Sequence, residues 1–430
     1  MESANGRFWE KAQRWEELAE QCRALALDVG FPAVHAWKER TGGKAVGCFP
    51  VYTPQELIAA AGALPVTLYG GRGQIDIDHA DSRIQSFVCS IARSTLELGM
   101  AGHLQWLDGF VATSICDVAR NLSGVWKHNF AEGSEVGGQG SGKKNTEPSI
   151  GARATTGEAG PPKTPNGFVF YIHYPQNVDS DAARTYYRGE LQRLCECLAE
   201  KTGRPVTDDS LREAIRLFNR HRTLLNELGT RRAARPEKWP SSEMYAIAAA
   251  GNVMSREEHT ALLERALLLG ETRTRPQRDA VRVVLRGAFC EQPPLELLEV
   301  LEDAGCAVVD DDLQVGGRFF LGQVAETGDP LNALVEAYLH GTVLTPVNNP
   351  GKRSRNDDLL ERCKKKGIQG VIFASPKFCE PALYDAVLLR RAAERAGLPT
   401  LEFEYEEKMS VFESVRMQAE TFVESILFFS

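Results

Sequence analysis

The chain predicts an α/β fold of two doubly wound parallel-sheet domains, with helical segments before and between them. Three observations predict it. Short apolar runs alternate with helix-spaced segments in two separate blocks, the rhythm of parallel strands joined by crossover helices. At 430 residues the chain exceeds what one hydrophobic core usually serves. Between the blocks, residues 180–270 carry almost unbroken helical spacing. The expected divisions are an N-terminal helical segment (1–43), a first α/β domain (44–178), a helical segment (179–278) and a second α/β domain (279–430).

Each element has its own reason. Phe8, Trp9, Trp15, Leu18 and Cys22 recur at helical spacing within residues 6–40. Ala45–Val51 is the first strand, and Thr53-Pro54-Gln55-Glu56 has the spacing of a capped helix start. A strand at Pro65–Gly70 runs into Gly70-Gly71-Arg72-Gly73. Residues 82–98 read as a helix, Leu107–Ala112 as a third strand, and the chain then enters a helix reaching about His128. Residues 131–166 are rich in glycine and cannot bury enough apolar surface to offset chain entropy, so they read as a flexible insertion. A strand resumes at Gly167–His173, and Asp208 or Asp209 is placed to cap a helix through Leu224. The second block has strands at Val281–Leu285, Ala307–Val309, Val371–Ala374 and Leu401–Glu404. Helices are expected at 294–304, near 354–366, at 381–396 and at 411–429.

A formal net charge of −8 argues against a nucleic-acid backbone as the main partner. The N-terminus reads as no signal peptide and no apolar run is long enough to cross a bilayer, so a cytoplasmic chain is expected, with neither membrane nor nucleic acid as partner. Ten cysteines in a reducing compartment are core fillers, metal ligands or redox groups. The absence of any Cys-x-x-Cys excludes zinc-ribbon, thioredoxin and compact ferredoxin patterns. Any cluster must therefore be assembled by the fold. No phosphate-binding loop signature occurs, so this chain is expected to bind no nucleotide.

Cys116 and Cys379 each sit where a strand has ended and a helix begins. Ligands in open α/β sheets gather there, and a helix N-terminus favours thiolate. Cys89, among Phe87, Val88 and Ile91, reads alone as a buried thiol inside a helix. Three thiols from separate segments can hold three irons of a cluster and leave the fourth open; each can equally be a packing residue. In the turn Gly287–Pro294, Glu291 and Gln292 can bond a substrate carbonyl, relay a proton, or cap the next helix; Cys290 is a further thiol at a strand end. Asp310-Asp311-Asp312 reads as solvated capping or as an anchor for something cationic, and Lys364-Lys365-Lys366 as a solvated helix end. Cys22, Cys48, Cys306 and Cys363 look like core residues.

Gly287-Ala288-Phe289-Cys290-Glu291-Gln292-Pro293-Pro294, Gly305–Asp312 and Ser114-Ile115-Cys116-Asp117 through Gly124 resemble the cluster-carrying subunits of ATP-dependent (class I) benzoyl-CoA reductases, within the 2-hydroxyacyl-CoA dehydratase D-component family. The resemblance extends from Phe49-Pro50-Val51-Tyr52 to Arg416–Phe422, with 131–166 as the main departure. It implies flavodoxin-like domains and an iron–sulfur cluster, [4Fe-4S] with three cysteine ligands and one open iron; by position these are Cys89, Cys116 and Cys379. It also implies a homologous second cluster-binding subunit, an ATP-hydrolysing iron–sulfur activator fed by ferredoxin, and an aromatic acyl-CoA substrate. Glu291, Cys290 and His79 are candidates for proton delivery. A 2-hydroxyacyl-CoA dehydratase subunit and a non-catalytic relay or scaffold subunit are the competing readings.

Overall fold

The computed structural model describes residues 8–130, 167–287, 290, 292–318, 320, 322–347, 354–409 and 411–429. The insertion expected at 131–166 and Glu291 lie outside them. Among the described residues eight strands form two sheets of four: β1 (Ala45–Phe49), β2 (Leu64–Thr67), β3 (Gly109–Thr113) and β4 (Phe168–Ile172), then β5 (Val281–Arg286), β6 (Cys306–Asp311), β7 (Gly370–Pro376) and β8 (Thr400–Tyr405). All pairings are parallel, and the strand orders, β2-β1-β3-β4 and β6-β5-β7-β8, are the same path run twice. In each sheet the chain reverses direction beside its first strand. That switch point opens a crevice at the carboxyl ends of the strands.

Burial explains which runs became which strands. Strands β1, β3, β6 and β7 are buried at every position, as strands covered by helices on both faces must be. The edge strand β8 alternates instead, with Leu401, Phe403 and Tyr405 inward and Glu402 and Glu404 outward. One hydrophobic core runs continuously from Val46 and Phe110 beneath the first sheet to Leu285 and Ile372 beneath the second. The N-terminal helix Trp15–Leu27 docks on the central helix Ser241–Ala250, where Trp15 meets Trp239 edge-on at 4.9 Å and its indole N–H donates to Glu243.

Several local expectations fail, those for Thr53 and Glu56 because a tertiary partner outcompetes a local one. Thr53 does not cap the helix Gln55–Ala60; its hydroxyl meets that of Thr113 at 3.2 Å. Glu56 turns into the core, where it pairs with buried Arg222 and accepts from the Tyr338 hydroxyl at 3.0 Å. Thr207, rather than Asp208 or Asp209, caps the helix Asp208–Ala234, through a reciprocal capping box with Ser210. Cys89 is not inside a helix: the helix is Ser90–Met100 and Cys89 is its N-cap residue. The helix Pro330–His340, capped by Asp329, is not among those the sequence predicts.

The three aspartates after Val309 are buried, not solvated. Asp310 accepts from Arg362 at 2.7 Å and from Lys366 at 2.6 Å, so the last lysine of 364–366 is an ion-pair partner. Asp311 accepts from Arg232 at 2.5 Å and pairs with Arg318 at 3.1 Å. Burial opposes its charge, but the two guanidiniums prevail and hold its carboxyl far below the usual range. Asp312, nearest Arg286, is pushed up by burial.

A second buried polar knot couples His221 Nε2 to His259 Nδ1 at 2.7 Å, and His259 Nε2 donates to the Ile247 carbonyl at 2.9 Å. Burial and nearby Arg256 push both imidazoles down, His259 to about 3. The unfolded chain therefore binds protons below about pH 6.5 that the folded chain refuses. Stability from this pair is fully present above that pH and is lost as pH falls toward the folded value. His259→Asn should flatten the loss of stability between pH 6.5 and 4 by about 3 kcal/mol relative to wild type in urea titrations; parallel curves would show that the histidines do not titrate on unfolding. Asp311→Asn should cost about 3–5 kcal/mol, because two buried guanidiniums lose their counter-charge; an unmoved urea midpoint would contradict this.

Candidate active site

Four cysteines approach one another across the junction of the two halves, two from each. Cys89 caps the helix Ser90–Met100, and Cys116 follows β3 and immediately precedes the helix Asp117–Phe130. Cys290 follows β5, and Cys379 follows β7 as N-cap of the helix Glu380–Arg395. Three of these thiols thus stand at helix N-termini, where unpaired N–H groups and the helix dipole favour negative sulfur.

The electrostatics register the convergence. The Cys290 S–H donates to the Cys379 sulfur, and that bond holds the Cys379 thiol below its ordinary value against the effect of burial, aided by the Ala382 N–H. Cys290 is pushed well up by the same bond, by burial, and by the neighbouring sulfurs of Cys379, Cys116 and Cys89. Burial raises Cys116 as well; the Ala119 N–H, which donates to its sulfur at 3.4 Å, opposes the rise, and Cys379 adds to it. Among the described residues no three thiol, imidazole or carboxylate groups are set to hold a single metal ion. A polynuclear cluster makes a different demand, since its sulfur ligands bind different metal atoms. Four approaching thiols, three at helix N-termini, fit such a group.

The backbone beside the thiols is strained. Phe378, directly before Cys379, has φ 63°, and Tyr52 has φ 61°, a region that bulky residues enter only where their surroundings force it. Tyr52 is fully buried, stacks on Tyr174 at 5.1 Å and meets the Thr345 hydroxyl at 3.0 Å. Burial raises its phenol far above the ordinary value, with the Cys290 thiol contributing. A cleft of about 510 Å³ opens alongside, walled by Val88 and Ser90 next to Cys89, by Lys377 and Phe378 next to Cys379, and by Glu407.

The remaining candidates are placed less centrally. His79 is largely exposed, with Nδ1 at 2.7 Å from Glu97 Oε1, and no interaction ties it to the thiols among the described residues. Cys22, Cys48, Cys306 and Cys363 are buried with thiols raised by desolvation, as core residues should be. Sequence reasoning gives Tyr52 no role beyond its place in the stretch Phe49–Tyr52 and passes over Glu407. The available signals are a tyrosine two residues after Pro50 and a glutamate beyond the end of β8's alternation.

The family model described as 2-hydroxyglutaryl-CoA dehydratase, D-component, matches residues 50–136 and 163–426. The chain is 36% identical to a benzoyl-CoA reductase subunit of Thauera aromatica, over 96% of this chain and 99% of that one. It is 27% identical to the beta subunit of lactoyl-CoA dehydratase of Anaerotignum propionicum, over 96% and 100% of the two chains. To the (R)-phenyllactyl-CoA dehydratase beta subunit of Clostridium sporogenes it is 26% identical, over 90% and 93%. Among the described residues no helix is long and apolar enough to cross a membrane.

Contact between the Cys290 and Cys379 thiols makes a chemical prediction. Diamide oxidation of the metal-free chain should join Cys290 to Cys379 before any other pair, as read by peptide mass mapping. A different first pair would reject the contact.

Proposed function

Because this chain belongs to the 2-hydroxyglutaryl-CoA dehydratase D-component family, we propose that it is a cluster-carrying subunit in the catalytic module of a benzoyl-CoA reductase. In this reading the assembled enzyme reduces the aromatic ring of benzoyl-CoA to a cyclohexadiene carbonyl-CoA. The observation that carries the choice is identity: 36% to a reductase subunit along nearly the whole chain, against 26% and 27% to dehydratase subunits.

Cys89, Cys116 and Cys379 are the residues that would hold an iron–sulfur cluster of the [4Fe-4S] type with one open iron. Such a group supplies single electrons at low potential. The chain's own residues do the rest. Helix N-termini and the Ala119 and Ala382 N–H groups stabilise the thiolates. Cys290 remains protonated and donates to Cys379. Tyr52 and Tyr174 close the site against water from beneath. Glu291, Cys290 and His79 remain candidates for moving protons. The partners in this reading are a homologous second cluster-binding subunit and an ATP-hydrolysing iron–sulfur activator charged by ferredoxin.

The test is anaerobic. With its partner subunit and activator present, the wild-type chain should contain iron and sulfide and turn over benzoyl-CoA, and its electron paramagnetic resonance spectrum should change when the ester is added. Cys116→Ala should lose iron and sulfide; a full iron complement would remove Cys116 from the ligand set. Turnover of a 2-hydroxyacyl-CoA in place of benzoyl-CoA would make the chain a dehydratase subunit. A spectrum indifferent to either ester would make it an electron relay.

A further inference from the structure

The loop after β2 has the look of an anion-binding turn, yet it follows no nucleotide signature. Its occupant comes from the chain itself. The Glu407 carboxylate, just past β8, accepts from the Arg72 and Gly73 N–H groups and, at 2.5 Å, from the Ser94 hydroxyl. The Glu407 N–H donates to Ser90 Oγ at 3.4 Å. Glycine is required on the other side: a Cβ at Gly70, which has φ 88°, would lie 2.5 Å from Glu407 Oε1. A residue of the second half is thereby seated in a cradle built by the first.

Glu407 also lines two spaces. One is the 510 Å³ cleft, walled by Val88, Ser90, Lys377 and Phe378, the chain neighbours of Cys89 and Cys379. The other is a smaller cavity of about 60 Å³, lined by Tyr69, Tyr245 and by Gln292, Pro293 and Pro294 of the turn that carries Cys290. We propose that Glu407 is the group that delivers a proton into the thiol-side cleft during ring reduction, a role resting on the reductase reading above. Its O–H bond breaks and a C–H bond forms at a substrate carbon that has already taken up electrons. The carboxylate left behind is received by the Ser94, Arg72 and Gly73 donors and is reprotonated by water.

The charge environment suits this. Burial raises the carboxyl to about 7 even though Ser94, the two backbone donors and the Arg72 charge all favour the anion. Of the other charges facing it, Lys408 is paired with Asp76, Glu406 with Lys377 at 2.9 Å, and Arg93 with Asp81 at 2.7 Å. Arg72 is engaged with the Ala26 carbonyl and stacked on Phe31 and Tyr69.

Glu407→Gln keeps the shape but carries no acidic proton to give; its carbonyl oxygen can still accept from the backbone N–H groups, and its amide N–H can donate to Ser94 Oγ in place of the bond the carboxylate accepts. In the assembled enzyme it should retain wild-type iron, sulfide and paramagnetic spectrum. Benzoyl-CoA turnover should fall about 100-fold and the limb of the pH–rate profile near pH 7 should vanish. Infrared difference spectra of wild type should show a protonated-carboxyl band titrating near pH 7, absent from Glu407→Gln. Glu407→Asp, which withdraws the acid by one methylene, should turn over slowly with the pH limb kept. Full turnover in Glu407→Gln, or no such band in wild type, overturns the proposal. A wild-type chain that holds no iron and reduces no benzoyl-CoA sinks the reductase reading instead. The infrared titration needs neither, so the two failures are distinguishable.

Discussion

Everything at the site depends on holding two sheets in one fixed relation, because each half brings only two of the four thiols. A hydrophobic core alone tolerates sliding; a buried polar network does not, since every misplacement strands a donor or an acceptor. Such a network spans the junction and reaches the thiols through Tyr52, which stacks on Tyr174 and interacts with Cys290. Arg222 of the central helices pairs with Glu56 of the first half, Glu56 accepts from Tyr338, and the Tyr174 hydroxyl donates to the Tyr338 carbonyl at 2.6 Å. Tyr52 reaches Thr345 from the same layer. The long central helices, which carry no cysteine of the group, contribute Arg222 and so act as the spacer that sets the register of the halves.

The second half is stiffened in a different way. Its sheet ends in three consecutive buried carboxylates, and basic residues from the helices Asp208–Ala234 and Arg355–Lys366 converge on the first two. These pairs anchor the carboxyl end of β6, next to β5 and the Cys290 turn. Replacing such pairs by apolar side chains is often neutral for stability, so their value here lies in geometry. They fix where the end of the strand points.

The architecture was readable because parallel strands buried on both faces leave continuous apolar runs, and Val283-Val284-Leu285 or Val371-Ile372-Phe373 can hardly be anything else. Cys116 and Cys379 were readable for a related reason: a thiol between a strand and a helix has its position dictated by the fold class. What could not be read was any choice made between distant residues. Thr53 has the chemistry of a cap, but Thr113 claims it; Asp310 to Asp312 have the composition of a solvated turn, but cations distant in sequence bury them. The helix beside Cys89 starts later than its apolar spacing implies, and that shift converts a core thiol into a helix-capping one. The Gly70 loop was legible as a glycine-rich turn after a strand but not as an anion cradle, because its guest lies more than three hundred residues away in the chain.

The division of the thiols, two on each sheet, has a mechanical consequence. A cofactor gripped by sulfurs from both halves would act as a rivet, closing a covalent loop through most of the polypeptide and removing conformational freedom from the loosened state much as a long-range disulfide does. Loading the site would then add to the restraint that the shared core and polar network already place on the two halves, and stripping it would remove that addition while each sheet stays intact.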